Sequence, residues 1–114
     1  MKVLVCGGRN YNEKAIVFST LASIHDSENI TEIIHGGASG ADNLADVWAK
    51  SMGIPIKEFK ADWEKHGRAA GPIRNQQMIE YKPDLVVAFP GGKGTADMIK
   101  KAKTNKIPIL IGGG

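Results

Sequence analysis

The sequence predicts an α/β fold, a three-layer sandwich with a five-stranded parallel sheet between helices. Three observations carry that expectation. Five short runs rich in Val, Ile and Leu recur at 2–6, 31–35, 54–59, 85–89 and 107–111. Most are continuous rather than alternating, as strands buried on both faces are. Helical stretches separate them, and strict strand–helix alternation demands a parallel sheet with helices on both sides. Eight of the 14 glycines fall in three loops that each follow a strand and precede a helix, where sheets of this kind bind ligands.

The helices follow from spacing and punctuation. The first, at 12–24, carries Ile16, Phe18, Leu21 and Ile24 on one side, and the second, at 41–52, carries Leu44, Val47, Trp48 and Met52. Gly53 closes the second as a residue in the left-handed conformation. Pro72 opens a third helix, 72–81, from its first position, with Ile73, Met78, Ile79 and Tyr81 for packing. The fourth spans 95–104. Right-handed crossovers and the long passage from the third strand to the third helix set the sheet order 3-2-1-4-5, reversing between the first and fourth strands. Residues 60–71 are expected as an irregular loop, and so long a loop in a small domain is often functional.

Length and composition narrow the classes. With 114 residues, 42% hydrophobic, the chain reads as one domain over 1–114. No apolar run reaches the roughly 18 to 20 residues of a membrane span, and the N-terminus reads as a strand rather than a signal peptide. No membrane association and a cytoplasmic location are therefore expected. One cysteine and three histidines, without HExxH or CxxC, offer no built-in transition-metal site, and no metal or cofactor is required beyond a nucleotide ligand. A net charge of +3 favours anionic ligands weakly. The cluster Lys100, Lys101, Lys103 and Lys106 sits at a helix end, where cations complement the dipole, so a nucleic-acid partner is the less favoured reading. The chain runs from the fifth strand into Gly112, Gly113 and Gly114 without a closing helix, which leaves a sheet edge or face for a second copy, a homo-oligomer.

Three glycine loops define the expected site: Gly7 and Gly8; Gly36, Gly37 and Gly40 with Ser39; Gly91, Gly92 and Gly94. Each presents backbone N–H groups and a helix N-terminus to one crevice, suited to phosphate. In PGGKGT (90–95), Thr95 is expected to cap the helix and hold phosphate, with Lys93 adding charge. The Walker pattern GxxxxGK[ST] is absent, so no Walker-type hydrolysis is expected. Arg9 and Arg74 are expected ligand contacts, because guanidinium forks match phosphate geometry. Arg74 in particular sits in the first turn of its helix, against the dipole. Asp42 either caps the second helix or contacts a ribose hydroxyl. Trp63 either packs its loop or stacks on a base, and Tyr11 is a second aromatic for a base. His35 reads as a satisfied core histidine and Cys6 as a small buried hydrophobe. Asp62, His66 and Arg68 read equally as solvated surface or as neighbours of the site.

The motifs CGGRNY (6–11), HGGASGAD (35–42), ADW with AGPIRN (61–75) and FPGGKGTADM (89–98) together resemble the YspA-type, cpYpsA-related branch of the SLOG superfamily. Its wider relatives are the LOG phosphoribohydrolases, often labelled lysine decarboxylase-like, and the DNA-processing Smf/DprA proteins. The resemblance implies a Rossmann-like nucleotide-binding domain that senses or processes ligands such as ADP-ribose or NAD derivatives. The PGG-x-GT element matches at Pro90, Gly91, Gly92, Gly94 and Thr95, and the family's arginine corresponds to Arg74. LOG enzymes carry PGGxGTxxE, whose glutamate assists N-glycosidic cleavage, and here that position is Met98. Asp97 projects roughly 100° away around the helix. Three functions follow as expectations: a module binding a nucleotide-derived phosphorylated ligand (ADP-ribose- or NAD-like, or a nucleoside monophosphate); an N-glycosidic hydrolase using Asp97 or Asp42; and a DNA-binding module like Smf/DprA.

Overall fold

Along the first strand, β1 (Lys2–Cys6), side chains alternate between two cores. Val3 and Val5 enter one and Leu4 and Cys6 the other, which is why the run is apolar throughout. The computed structural model describes residues 1–113; Gly114, part of the expected glycine tail, lies outside them. The remaining elements are α1 (Lys14–Glu28), β2 (Glu32–His35), α2 (Ala41–Met52), β3 (Ile56–Glu58), α3 (Trp63–His66), a 3-10 turn Gly67–Ala69, α4 (Ala70–Glu80), β4 (Leu85–Ala88), α5 (Lys93–Thr104) and β5 (Ile109–Ile111). All strand pairs are parallel and the order is β3-β2-β1-β4-β5, with the reversal between β1 and β4 as expected.

Val17 and Leu21 of α1 and Ala45, Trp48 and Ala49 of α2 cover one sheet face, on Val3, Val5, Ile33 and Val87. Met78 and Ile79 of α4 and Met98 and Ala102 of α5 cover the other, on Leu4, Ile34 and Val86. At the open edge, Leu110 and Ile111 of β5 are exposed. No helix among the described residues is long and apolar enough to cross a membrane.

Several boundaries differ from expectation. The first helix runs on to Glu28, a last turn the apolar period could not show because it is polar; it stops at Asn29, which has a positive φ (54°). The third long helix begins at Ala70, so Pro72 is its third residue; the first four helical N–H groups lack intrahelical acceptors, and a proline forfeits no helical hydrogen bond there. Arg74 therefore lies beyond the first turn, and the argument from an opposed dipole does not hold for it. The last long helix begins at Lys93 with Gly92 as its cap, which makes Thr95 its third residue rather than the cap. Residues 60–71 are not wholly irregular. They contain α3, whose N-cap Asp62 accepts a hydrogen bond from the Lys65 N–H (3.1 Å).

Candidate functional site

The reversal of strand order parts the loops after β1 and β4, and a crevice of about 510 Å³ opens there. Gly7 and Gly8 after β1, the first turn of α5, and Arg74 with Asn75 of α4 line it. A second hollow of about 360 Å³ adjoins it over Gly36–Ser39 and Lys60. Arg9, Ala38, Trp63 and Arg74 border both. These volumes lie in the range of roughly 300 to 1,000 Å³ typical of small-molecule sites.

The three glycine loops divide the work unequally. Gly8 donates its N–H to the Pro90 carbonyl (2.8 Å), and its own carbonyl accepts from Tyr11 (3.2 Å) and Ala41 (3.3 Å), so the first loop ties the other two together. The second loop spends three of its N–H groups on neighbouring side chains. The N–H groups of Gly36 (3.0 Å) and Ala38 (3.3 Å) go to Asp42 Oδ2, that of Gly37 goes to His35 Nδ1 (2.9 Å), and Ser39 Oγ donates to the Arg9 carbonyl (3.1 Å). Gly40 and Gly91 border neither hollow; both are packed against the Gly7–Arg9 backbone. The third loop offers a consecutive run of free donors to the crevice. The N–H groups of Lys93, Gly94 and Thr95 have no acceptor among the described residues, and this first turn of α5 faces the crevice beside the exposed Lys93.

Arg74 is aimed from the opposite wall. Its Nη1 donates to the Gly36 carbonyl (2.7 Å) and, at 3.5 Å, to that of Phe59, while its Nε donates to Asn75 Oδ1 (3.1 Å). Nη2 makes no hydrogen bond to the described residues. Burial lowers the Arg74 pKa from its ordinary value against the opposing charge of Asp42, and a guanidinium stays protonated through such a shift. Asp97 also borders the crevice, but its carboxylate is occupied. Lys101 Nζ lies 2.6 Å from Oδ1 and 2.7 Å from Oδ2, and Asn75 Nδ2 donates to Oδ2 (3.0 Å). Partial burial raises the Asp97 pKa, and these donors outweigh it and hold the group below the ordinary carboxylate value. Met98 is fully buried in the α4–α5 core and does not reach the site. Sequence reasoning did not single out Asn75, whose burial and three partners only the fold reveals.

Asp42 is neither a helix cap nor free. Gly40 is the N-cap of α2, and Asp42, 6% exposed, clasps the second loop through Oδ2, while Oδ1 has no hydrogen bond to the described residues. Burial raises its pKa despite the Gly36 and Ala38 N–H groups. An acid whose folded pKa is raised lends stability at low pH that is lost as pH rises through that pKa. Asp42→Asn keeps an acceptor for both N–H groups and removes the buried charge, so its urea stability should gain on wild type as pH rises. Asp42→Ala leaves two donors unpaired and should cost about 1–3 kcal/mol.

His35 is 2% exposed, as expected for a core histidine. Its Nδ1 accepts from Gly37, which puts the proton on Nε2, 2.9 Å from Asp46 Oδ1. Burial raises the Asp46 pKa, but hydrogen bonds from Lys50 and His35 hold it below its ordinary value. His35, Asp46 and Glu58 bring ligand-type atoms within 4.8 Å of one another. With both imidazole nitrogens engaged and Asp46 shared with Lys50 (2.8 Å), a cation could enter only by breaking these bonds. Cys6 borders the crevice as a thiol, its pKa pushed up to about 12 by burial and then by Asp42.

Trp63 is 49% exposed at the rim, with the Arg9 guanidinium 5.7 Å from its ring centroid. The expected role of Tyr11 in base stacking is corrected. Its ring stacks on Phe89 (centroids 5.5 Å apart), its hydroxyl is buried beside Gly113, and it borders neither hollow, because the Gly8 carbonyl turns the chain at Tyr11 away from the crevice. Arg68 borders the crevice; Asp62 and His66 do not. Of the lysine cluster, Lys101 is tied to Asp97, and Lys103 lies in the last turn of α5.

Comparison with known proteins agrees with this fold. Residues 1–66 match the family model described as "YspA, cpYpsA-related SLOG family". The chain is 36% identical to the Gene 61 protein of Mycobacterium phage D29 over 117 aligned residues, covering 96% of this chain and 94% of the phage protein. The X-ray structure of TM1055, a structural-genomics target, superposes with a TM-score of 0.74 over 95% of this chain and 71% of that one; at 20% identity the likeness is one of fold.

Proposed function

Because the chain belongs to the YspA, cpYpsA-related SLOG family, we propose that its crevice binds a phosphorylated, nucleotide-derived small molecule, with nucleoside monophosphates and ADP-ribose- or NAD-like compounds as the ligands to try first. One observation carries the reading. The free N–H groups of the first turn of α5 and the open edge of Arg74 converge on the same crevice from opposite walls. A dianionic phosphate there would receive the helix dipole, backbone donors and a guanidinium fork together. Trp63 at the rim offers a face for the base. Titration calorimetry with AMP, ADP-ribose, NAD and inorganic phosphate tests it. Saturable binding of at least one nucleotide is expected, and no binding of any of them at millimolar concentration overturns the proposal.

A hydrolytic reading rests on a narrower observation: Asp42 borders the crevice with one carboxylate oxygen uncommitted among the described residues, whereas Asp97 is neutralised by Lys101. N-glycosidic hydrolysis needs a carboxylate to stabilise the oxocarbenium-like transition state or orient water. On this reading free base is released from nucleoside monophosphates, Asp42→Asn abolishes release and Asp97→Asn does not.

A further inference from the structure

We infer that Asn75 is a positioning residue that locks the Arg74 guanidinium and the first turn of α5 into one anion-recognising unit; this rests on the reading of the crevice as a phosphate site. Asn75 is 4% exposed, yet its amide bonds to no core group. Oδ1 accepts from Arg74 Nε (3.1 Å), and Nδ2 spends its two hydrogens on the Gly94 carbonyl (3.1 Å) and Asp97 Oδ2 (3.0 Å). All three partners border the crevice, and they come from α4 and α5.

The amide orientation is fixed by chemistry. Arg74 Nε–H can only donate, so it must face the oxygen, and the carbonyl and carboxylate on α5 can only accept, so they must face the nitrogen. No other side chain of this size offers one acceptor and two donors in that arrangement. Arg74 is held through two of its nitrogens, Nη1 by backbone carbonyls and Nε by Asn75. Without Asn75 only the first anchor remains, and the guanidinium can pivot about it, taking Nη2 out of register with the N–H groups of α5. Pre-organised donors favour binding by removing that freedom in advance.

The test uses the full chain with AMP and adenosine as probes. Asn75→Ala is expected to weaken AMP binding about tenfold and adenosine, which lacks the phosphate, by far less. Arg74→Ala should cost much less in the Asn75→Ala background than in wild type, because the two residues act as one unit. Asn75→Asp preserves volume and the bond to Arg74 but sets an oxygen against the Gly94 carbonyl and Asp97. It should lose AMP affinity too, and it serves if the alanine variant does not fold. Without ligand, the Arg74 Nε–H proton resonance should exchange slowly in wild type and rapidly in Asn75→Ala. Equal losses for AMP and adenosine, additive losses for the two substitutions, or an Nε–H unchanged by Asn75→Ala would each overturn the inference. If wild type binds none of AMP, ADP-ribose and NAD, the functional reading fails; if it binds one of the others but not AMP, that nucleotide replaces AMP as the probe; in either case the Nε–H measurement still decides whether Asn75 holds Arg74.

Discussion

Gly40→Ala is expected to lower stability by about 4 kcal/mol and the thermal midpoint by about 15 °C, a larger loss than other surface-loop substitutions. Gly40 adopts φ 76° and ψ −129°, a region that residues with a Cβ avoid. A Cβ there would also drive into the Gly8 carbonyl oxygen and lie 2.6 Å from the Arg9 carbonyl oxygen. Both obstacles are backbone, and the Gly8 carbonyl is held by Tyr11 and Ala41, so neither can step aside cheaply. Gly53 supplies the control. It is left-handed at φ 69° at the end of α2, and a methyl group added there would meet nothing within 4 Å, so Gly53→Ala should cost only about 1 kcal/mol. Urea and thermal unfolding of both variants measure the difference; a Gly40→Ala loss no greater than that of Gly53→Ala would show that the first two loops are not rigidly joined.

The contrast shows what kind of information the sequence carried. The sheet was legible because Val3, Val5, Leu4 and Cys6 must all be apolar when helices cover both faces, and parallel pairing with right-handed crossovers then leaves few orders. The switch point, and with it the place of the crevice, followed from the order. Helix starts were hidden where glycine stands inside a first turn. Gly94 lies within α5 and Gly71 within α4, against their low propensity, because packing holds both helices in place. At four residues, α3 is too short to show any period.

Within the site, glycine counting located the loops but not their free donors. Three glycine loops read alike in sequence, yet Asp42 and His35 consume the Gly36, Gly37 and Ala38 N–H groups of the second, and only tertiary contact reveals that. The masking of Asp97 was open to reading, since Lys101 stands four residues on, the spacing at which opposite charges meet on a helix. Asn75 was not, because its three bonds join residues up to 22 positions apart.

Arg74→Ala is expected to weaken AMP binding about 100-fold, the scale of removing a charge-assisted hydrogen bond from a partly buried site. Arg74→Lys keeps the charge without the fork and should recover only part of it. Truncation alone does not separate the missing guanidinium from disturbance of the second loop, since the Gly36 carbonyl loses its donor as well. Gly36→Ala separates them. A Cβ at Gly36 would run into Arg74 Nη1 and lie 2.6 Å from Cζ, and what it meets is the far end of a flexible side chain rather than backbone. The variant should therefore fold, with the guanidinium displaced and AMP affinity reduced nearly as far as in Arg74→Ala, while a change far from the crevice, such as Val47→Ala on the exposed side of α2, leaves affinity intact. Combining Gly36→Ala with Arg74→Ala should add little to either loss, because both remove the same interaction. Full AMP affinity in a folded Gly36→Ala protein would mean that phosphate is recognised without Arg74 in the position seen here, and would confine the anion site to the first turn of α5.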